Sequence, residues 1–386
     1  MTRSGGQGTG WSERDERPAF AEATACQVWK VRLQGKAASE WSGGDASDID
    51  GQTERWNGRE HMSQCGQRAS FRFAGRSFRI IKNKMSGTYE FVQLDVFTRT
   101  PLTGNPLAVF ADGRGLTDQQ MQALAREMNL SETTYVLPRE PQVEAHDGKR
   151  VRIFTVEEEL PFAGHPTLGT ALYLHNAAAS GADEIVLDLN VGKIGVRFST
   201  DSNPRSTRVA GDVFGEMRQR DPEFGPTLPP DKVASVLGSD GGEIATEWPS
   251  QIVSTGLPFA IVPVRDSKTL ANLKPDLVKA AGLLEGTGAR FCYFISPERQ
   301  GRLEVRARMF FYGGEDPATG SAAGCAISWM VRHGVAKSDE QIVISQGVEA
   351  GRPSEIFVRA TRDAEKITHV RVGGYAAEVL RGIVTL

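Results

Sequence analysis

The chain has 386 residues, 39% of them apolar, and its 45 Lys and Arg nearly balance 48 Asp and Glu, for a formal net charge of −3. This balance gives no electrostatic reason for binding nucleic acid or an anionic membrane, and no apolar run reaches the roughly 20 residues of a membrane helix. Four cysteines without CxxC spacing argue against a disulfide scaffold or structural zinc. We therefore expect a cytoplasmic protein of about two domains.

The first 84 residues differ in composition from the rest of the chain. They contain four of the six Trp and show no sustained helical or strand period, which predicts a largely disordered extension. Residues 61–84 carry six Lys or Arg and no Asp or Glu, a pattern that would also suit a transit peptide or a basic interaction arm. We favour translation from Met85, with residues 1–84 outside the functional protein.

Beyond this extension the chain alternates short strands with a few helices. The expected strands lie at residues 90–97, 107–110, 134–137, 151–155, 184–189, 195–200, 251–254, 260–264, 291–295 and 303–310. The expected helices lie at residues 117–128, 166–176 and 318–332, the first with Thr117 as its N-cap. Many short strands with few long helices indicate a mixed α+β fold built around curved sheets or barrels.

Residues 152–171 and 308–322 share a pattern. In each, Arg and Phe precede a Pro, and Gly, Thr or Ser, and Ala follow at identical offsets. Each segment predicts a strand, a turn and a helix with Pro at its first position, so we infer two related halves. The residue before each Pro, His165 or Asp316, would lie at a helix N-terminus, whose partial positive charge suits a carboxylate or a developing enolate. Taken alone, either segment is more simply a helix cap.

Glu132 lies between the first predicted helix and an apolar strand. If the side chain is partly buried there, the loss of solvation raises its pKa toward the range useful for a general base. The alternative is a solvated loop carboxylate or a local cap, which the residues alone favour.

Several segments, in this order, resemble the PhzF family of phenazine biosynthesis-like proteins, which have the diaminopimelate epimerase fold. The matching segments are residues 95–98 (DVFT), 101–109 (PLTGNPLAV), 128–133 (MNLSET), 162–167 (FAGHPT), 315–322 (EDPATGSA), 346–347 (QG) and 351–354 (GRPS). The resemblance implies an α+β fold of two pseudo-symmetric halves, each a barrel-like curved sheet around a central helix. We expect the first half at residues 85–199, with 376–386 as a candidate addition, and the second at 200–375.

The same resemblance implies an active site in the cleft between the halves. Glu132 would be the acid/base residue that removes a proton from carbon and returns it elsewhere, with His165 and Asp316 flanking the substrate. Further substrate contacts would come from Gly164, Gly320 and Ser321. The implied activity is that of a homodimeric isomerase without cofactor or metal, acting on a small cyclic or amino-acid-like carboxylate. The alternative is a catalytically silent binding or interaction protein on the same fold.

Relatives that racemise or epimerise amino acids use a thiol at the start of each central helix, where this chain has His165 and Asp316. Cys292 and Cys325 fall in a predicted strand and a helix interior, so we expect both in the core and no two-thiol chemistry. The six His lack HxxxH spacing and no nucleotide-binding glycine motif occurs, so neither metal nor nucleotide is expected. The acidic run at 156–160 is expected to be a solvated turn, although near a cleft it would disfavour an anionic substrate.

Overall fold

The computed structural model describes residues 72–73, 76–77, 87–178, 181–200, 213–238, 241–300, 302–311 and 314–386. Contacts within the chain define two units, Met1–Ile80 and Ile81–Leu386. In the first unit, strands β1 (Arg72–Phe73) and β2 (Arg76–Ser77) pair in antiparallel fashion. Apart from these strands, the disorder predicted for residues 1–84 concerns residues outside the described part of the chain.

The described residues of the second unit form both helices and strands. The helices are α1 (Asp118–Met128), α2 (Pro141–Asp147), α3 (Gly164–Ala178), α4 (Pro230–Leu237), α5 (Ser267–Ala271), α6 (Leu277–Leu284) and α7 (Gly320–Arg332). The strands are β3 (Thr88–Val96), β4 (Asn105–Phe110), β5 (Glu132–Leu137), β6 (Lys149–Phe154), β7 (Glu159–Leu160), β8 (Glu184–Leu189), β9 (Gly192–Thr200), β10 (Val213–Arg218), β11 (Glu223–Thr227), β12 (Gln251–Ser254), β13 (Pro258–Pro263), β14 (Cys292–Gln300), β15 (Arg302–Phe311), β16 (Gly314–Glu315), β17 (Ile342–Gln346), β18 (Ser354–Asp363), β19 (Lys366–Gly374) and β20 (Ala376–Thr385). None of these helices is both long and apolar enough to cross a membrane.

The elements predicted from the sequence are present. Each predicted strand and helix overlaps an observed one. The N-cap at Thr117 is confirmed, because its side chain accepts a hydrogen bond from the backbone N–H of Gln120 and the Gln120 side chain accepts one from the backbone of Thr117. This reciprocal capping box satisfies two N–H groups that the first helical turn leaves unpaired.

Strand pairing repeats one order twice. The first run is β20-β3-β4-β5-β6-β8-β9-β10, the second is β11-β12-β13-β14-β15-β17-β18-β19, and β10 pairs with β19 to join them. In each run the third and fourth strands are parallel, as are the fifth and sixth, and the other neighbours are antiparallel. The predicted α+β fold of two pseudo-symmetric halves is therefore confirmed, while the exact residue boundaries drawn for the halves stay a prediction.

One long helix packs inside each half. Helix α3 contacts β3, β4, β5, β8 and β10, and α7 contacts β12, β13, β14, β18 and β19. Small residues allow this close packing: a Cβ atom on Gly169 would lie 2.6 Å from a methyl group of Val96 and 2.7 Å from one of Leu107. Each curved sheet thus wraps a central helix, and the starts of these two helices define the site described next.

Candidate active site

The N-terminal ends of α3 and α7 meet at the junction of the halves. A Cβ atom on Gly164 would lie 2.7 Å from the backbone nitrogen of Ser321, and one on Gly320 would lie 2.9 Å from the Phe97 ring. Only glycine fits so close an approach without displacing its neighbours. Each helix N-terminus carries partial positive charge, so the positive ends of two helix dipoles meet at this junction.

The predicted position of proline at the start of each helix is wrong. Helix α3 begins at Gly164, two residues before Pro166, and α7 begins at Gly320, after Pro317. The backbone around Asp316 is held outside the helix, since its N–H donates to the carbonyl of Met309 at 2.9 Å and its own carbonyl accepts from Nε2 of Gln346 at 2.7 Å. His165 therefore lies within a first helical turn, and Asp316 precedes one.

Glu132 is placed by the end of α1. That helix stops at Asn129, which adopts the left-handed conformation (φ 50°), and Glu132 then opens β5 in parallel register with Leu107. Its side chain is only 15% exposed, and Oε2 lies 3.4 Å from Nε2 of His165. Burial, and secondarily the charge of Asp316, raise the pKa of Glu132 well above its ordinary value of 4.5. The carboxyl is thus partly buried and not a solvated loop group.

His165 is neutral near pH 7. Burial lowers the pKa of its imidazole to about 3, although a hydrogen bond to the backbone of Pro106 acts in the opposite direction. Proline has no N–H, so the imidazole donates to its carbonyl oxygen. Among the described residues Nε2 has no hydrogen-bond partner, so the donor is Nδ1. The unprotonated Nε2 therefore faces Glu132.

Asp316 is buried just before the start of α7, and its carboxylate accepts two side-chain hydrogen bonds. Nδ2 of Asn105 donates to Oδ1 at 2.8 Å, and the Thr319 hydroxyl donates to Oδ2 at 2.6 Å. Burial raises the pKa of Asp316 to about 6, against the lowering effect of the bonds from Thr319 and Asn105.

These three side chains line one cleft of about 760 Å³ between the halves. Gly164, Gly320 and Ser321 line it as well, so all the site residues expected from the sequence lie together, although their roles stay predictions. The cleft volume suits a small molecule. Its apolar wall consists of Leu130, Val156, Leu160, Phe162, Ala163, Leu257, Phe259, Phe291, Met309, Phe311 and Ala318. A second cavity of about 1000 Å³ lies against α6 and contains none of the expected site residues.

The acidic run forms an exposed turn at the edge of the cleft. Glu157 and Glu158 line the cleft, and their backbone N–H groups both donate to the hydroxyl of Thr155. Glu158 also pairs with Arg290 from the other half at 2.9 Å, with both side chains at least half exposed. The preferred prediction of a solvated turn is confirmed for Glu157 and Glu158, which add negative charge to one edge of the cleft, but Glu159 opens β7 and its half-buried carboxylate accepts hydrogen bonds from Arg152.

Neither cysteine expected in the core lines the cleft. Cys292 and Cys325 are both buried, and burial raises the pKa of each thiol, to about 12 and about 11. Thiols with such pKa values are poor bases near neutral pH. Within the described part of the chain, no group of three His, Cys, Asp or Glu side chains is arranged to hold a metal ion.

Sequence reasoning missed two buried amides of the site. Asn105 stands in the segment 101–109 without an expected role, yet it reaches Asp316 from the first half. Gln346 holds the backbone before α7 through Thr319, whose N–H it accepts at 3.0 Å, and it also accepts the Tyr293 hydroxyl at 2.9 Å. Both residues lie in segments that resemble the family, but the residue pattern does not reveal these contacts.

Solved structures with the same architecture place the chain among enzymes of the diaminopimelate epimerase-like class. A predicted epimerase from Pseudomonas aeruginosa matches with a TM-score of 0.64 at 35% identity, over 77% of this chain and 99% of that one. A PhzF-family phenazine biosynthesis protein from Bacillus anthracis matches with a TM-score of 0.68 at 25% identity, over 78% and 100%. A hydroxyproline epimerase from Agrobacterium vitis, 12% identical with a TM-score of 0.53 and matching over 78% and 93%, shares the fold.

Sequence comparison identifies the family. The family model for phenazine biosynthesis-like proteins matches residues 94–382. A trans-2,3-dihydro-3-hydroxyanthranilate isomerase from Pseudomonas aeruginosa is 37% identical, over 76% of this chain and 98% of that protein. An uncharacterized isomerase from Mesorhizobium japonicum is 36% identical over the same shares. The chain belongs to the phenazine biosynthesis-like family, and it is an isomerase.

Proposed function

We propose that this isomerase needs no cofactor and uses Glu132 to move a proton between two carbon atoms of a small cyclic carboxylate. Similarity to the trans-2,3-dihydro-3-hydroxyanthranilate isomerase from Pseudomonas aeruginosa supports a substrate of the size and chemistry of a dihydro-hydroxyanthranilate. The cleft volume of about 760 Å³ and its largely apolar wall are compatible with one such ring.

The position of Glu132 carries the proposal. A general base works best when its pKa lies near the working pH. Burial and the nearby charge of Asp316 raise the pKa of Glu132, so this carboxyl, once ionised, is a stronger base than a solvated one. The imidazole of His165, whose Nε2 lies 3.4 Å from the Glu132 carboxyl, is neutral and so brings no positive charge that would favour ionisation of that carboxyl. For turnover the resting carboxyl first loses its proton to solvent. The carboxylate then takes a proton from one carbon, and the carboxylic acid that results returns it to another.

The two helix starts supply the electrostatic part of the mechanism. The first turns of α3 and α7 leave backbone N–H groups without partners inside the helix, and these ends meet at Gly164 and Gly320 beside the cleft. A substrate carboxylate bound there would be stabilised by both helix dipoles. The same donors would stabilise negative charge that develops when a proton leaves carbon.

Solvent deuterium tests the proposal. The chain, wild type or Glu132→Gln, is incubated in D2O with trans-2,3-dihydro-3-hydroxyanthranilate and a panel of small cyclic carboxylates, and products are examined by NMR. We expect turnover by the wild type and a loss of at least about 100-fold in Glu132→Gln. Glu157→Gln, which removes an exposed carboxylate from the same cleft, is the matched control and should keep its rate.

When the wild type turns over, the isotope pattern of the product shows the path that the proton takes. Deuterium at carbon means that the carboxyl exchanges its proton with solvent during turnover, and product without deuterium means internal transfer. Full activity in Glu132→Gln would refute the role of this residue. Binding without turnover in the wild type would favour the alternative of a silent binding protein. The homodimer and the cytoplasmic location stay predictions.

A further inference from the structure

Asn105 reaches across from the first half to a carboxylate of the second. It is fully buried in β4. Its Nδ2 atom donates to Oδ1 of Asp316 and to the backbone carbonyl of Ala318, both at 2.8 Å. Because a carbonyl oxygen can only accept, and a carboxylate oxygen accepts as well, the amide must present its NH2 group to this pair. The orientation of the Asn105 side chain is therefore fixed by its partners.

A chain of hydrogen bonds also fixes the donor to the second oxygen of Asp316. Oε1 of Gln346 accepts from the Tyr293 hydroxyl at 2.9 Å and from the Thr319 N–H at 3.0 Å, so Nε2 of Gln346 is the donor toward the Thr319 hydroxyl at 2.9 Å. The Thr319 hydroxyl is then left to donate to Oδ2 of Asp316 at 2.6 Å. Both oxygens of this carboxylate accept hydrogen bonds, one from each half of the molecule.

We propose that Asn105 is a positioning residue for the isomerisation, which holds the Asp316 carboxylate at the cleft from the opposite half and keeps it ionised. The inference rests on the proposed function of this cleft. Glu132 provides the contrast, because its Oε2 atom receives no hydrogen bond from any described residue. Two carboxyls that share a cleft cannot easily both ionise. Asn105 thereby assigns the negative charge to Asp316 and leaves the proton on Glu132 in the resting enzyme.

Several ionisable groups surround Asp316 and enter its titration. They are Glu132 from β5, His165 from α3, Tyr293 from β14 and Glu315 from β16. Burial above all, and to a small extent the charge of Glu315, raises the pKa of Asp316 to about 6, and its hydrogen bonds, among them that from Asn105, limit this rise. The contribution of Asn105 is therefore measurable as a change in this midpoint.

The test is a direct titration without substrate, so its outcome is independent of the reaction. The full chain, labelled with 13C at the aspartate Cγ, is titrated by NMR, and Asp316→Asn identifies the Asp316 signal. In Asn105→Ala the loss of a charge-assisted hydrogen bond should raise the midpoint by about one pH unit. Asn105→Asp, which has nearly the same shape, should raise it further because a second carboxyl then faces the first.

Asn190→Ala is the matched control, since Asn190 donates in the same way to Glu159, at 2.8 Å, outside the cleft. It should leave the Asp316 midpoint unchanged. An unchanged midpoint in either folded Asn105 variant overturns the inference. If both variants fail to fold, the side-chain NH2 signals of Asn105 in the wild type decide the question. They should shift with the same midpoint as the Asp316 carboxyl, and signals that do not shift overturn the inference.

Discussion

At the residue scale, the site holds a carboxyl whose surroundings oppose its ionisation. Glu132 is partly buried, faces the neutral imidazole of His165, and shares the cleft with Asp316. A folded-state pKa above the unfolded value means that the folded protein binds this proton more tightly. The stabilisation is complete below the ordinary pKa of 4.5 and is lost as the pH rises through the raised value. A base adapted to proton transfer is thus a source of instability at neutral pH.

Glu132→Gln should therefore stabilise the fold in a pH-dependent way. The amide is neutral at every pH, so the variant avoids the cost of a buried charge. At pH 8 we expect the variant to exceed the wild type by about 0.5–2 kcal/mol in the free energy of unfolding, and the difference should shrink toward pH 4.5. Urea unfolding at both pH values measures it.

Glu157→Gln is the control for this measurement because the Glu157 side chain is exposed at the edge of the same cleft. It should change the free energy of unfolding little at either pH. A Glu132→Gln variant whose stability difference from the wild type is the same at pH 4.5 and pH 8 would show that ionisation of Glu132 costs the fold nothing.

The sequence identifies the main candidate site residues, but it does not identify the residues that hold them in place. Glu132, His165 and Asp316 stand in recognisable segments, and the structure places all three on one cleft. The contact of Asn105 with Asp316 joins residues 211 positions apart, and the bond from Gln346 to the Asp316 carbonyl spans 30. No local pattern of residue types encodes such pairs, because the first arises from the packing of one half against the other and the second from the packing of β17 against the segment before α7.

At the element scale, the central helices were predictable and the short peripheral ones were not. Helix α5 has five residues and α6 has eight, too few to sustain an apolar period over a window of about 11 residues. Their starts carry local signals, since Asp266 and Asp276 each accept hydrogen bonds from backbone N–H groups of the first turn. Packing of Leu270, Ala280 and Leu284 into one buried cluster completes their stabilisation.

Substitution by alanine should have opposite effects at Gly164, where the two central helices meet, and at Gly282, which lies in α6. Gly164→Ala would place a Cβ atom 2.7 Å from the backbone nitrogen of Ser321, and backbone cannot move aside as a flexible side chain can. We expect a loss of about 1–3 kcal/mol in the free energy of unfolding, because overpacking forces the helix starts apart. Denaturant unfolding provides the measurement.

Gly282 in α6 is the matched comparison. A Cβ atom there would meet nothing within 4 Å. Gly282→Ala should stabilise the protein by up to about 1 kcal/mol, since alanine has the higher helix propensity. Equal effects of the two substitutions would mean that the helix starts in solution are less closely packed than the structure has them.

At the scale of the whole molecule, a loop of the first half is docked onto the second. Arg352, in the loop before β18, donates through Nη2 to Oδ1 of Asp95 at 2.6 Å and to the carbonyl of Thr103 at 2.8 Å. Its Nε atom donates to the carbonyl of Gly104 at 2.8 Å. The docked loop leads directly into Asn105, so this ion pair supports the residue that reaches Asp316. Burial raises the pKa of Asp95, against the effect of Arg352.

Arg352→Ala should be markedly destabilising, because it leaves Asp95, only 1% exposed, without its cationic partner. Breaking a buried pair from one side costs about 3–5 kcal/mol, and the 28% exposure of the Arg352 side chain places the expectation near the lower end of that range. Arg114→Ala, which breaks an ion pair whose side chains are 64% and 47% exposed, should change the free energy of unfolding little, because solvent screens such a pair. Adding Asp95→Asn to Arg352→Ala should recover part of the loss, since no unpaired buried charge then remains. Chemical denaturation of these variants measures all three effects, and an Arg352→Ala cost no larger than that of Arg114→Ala would show that this ion pair does not hold the halves together.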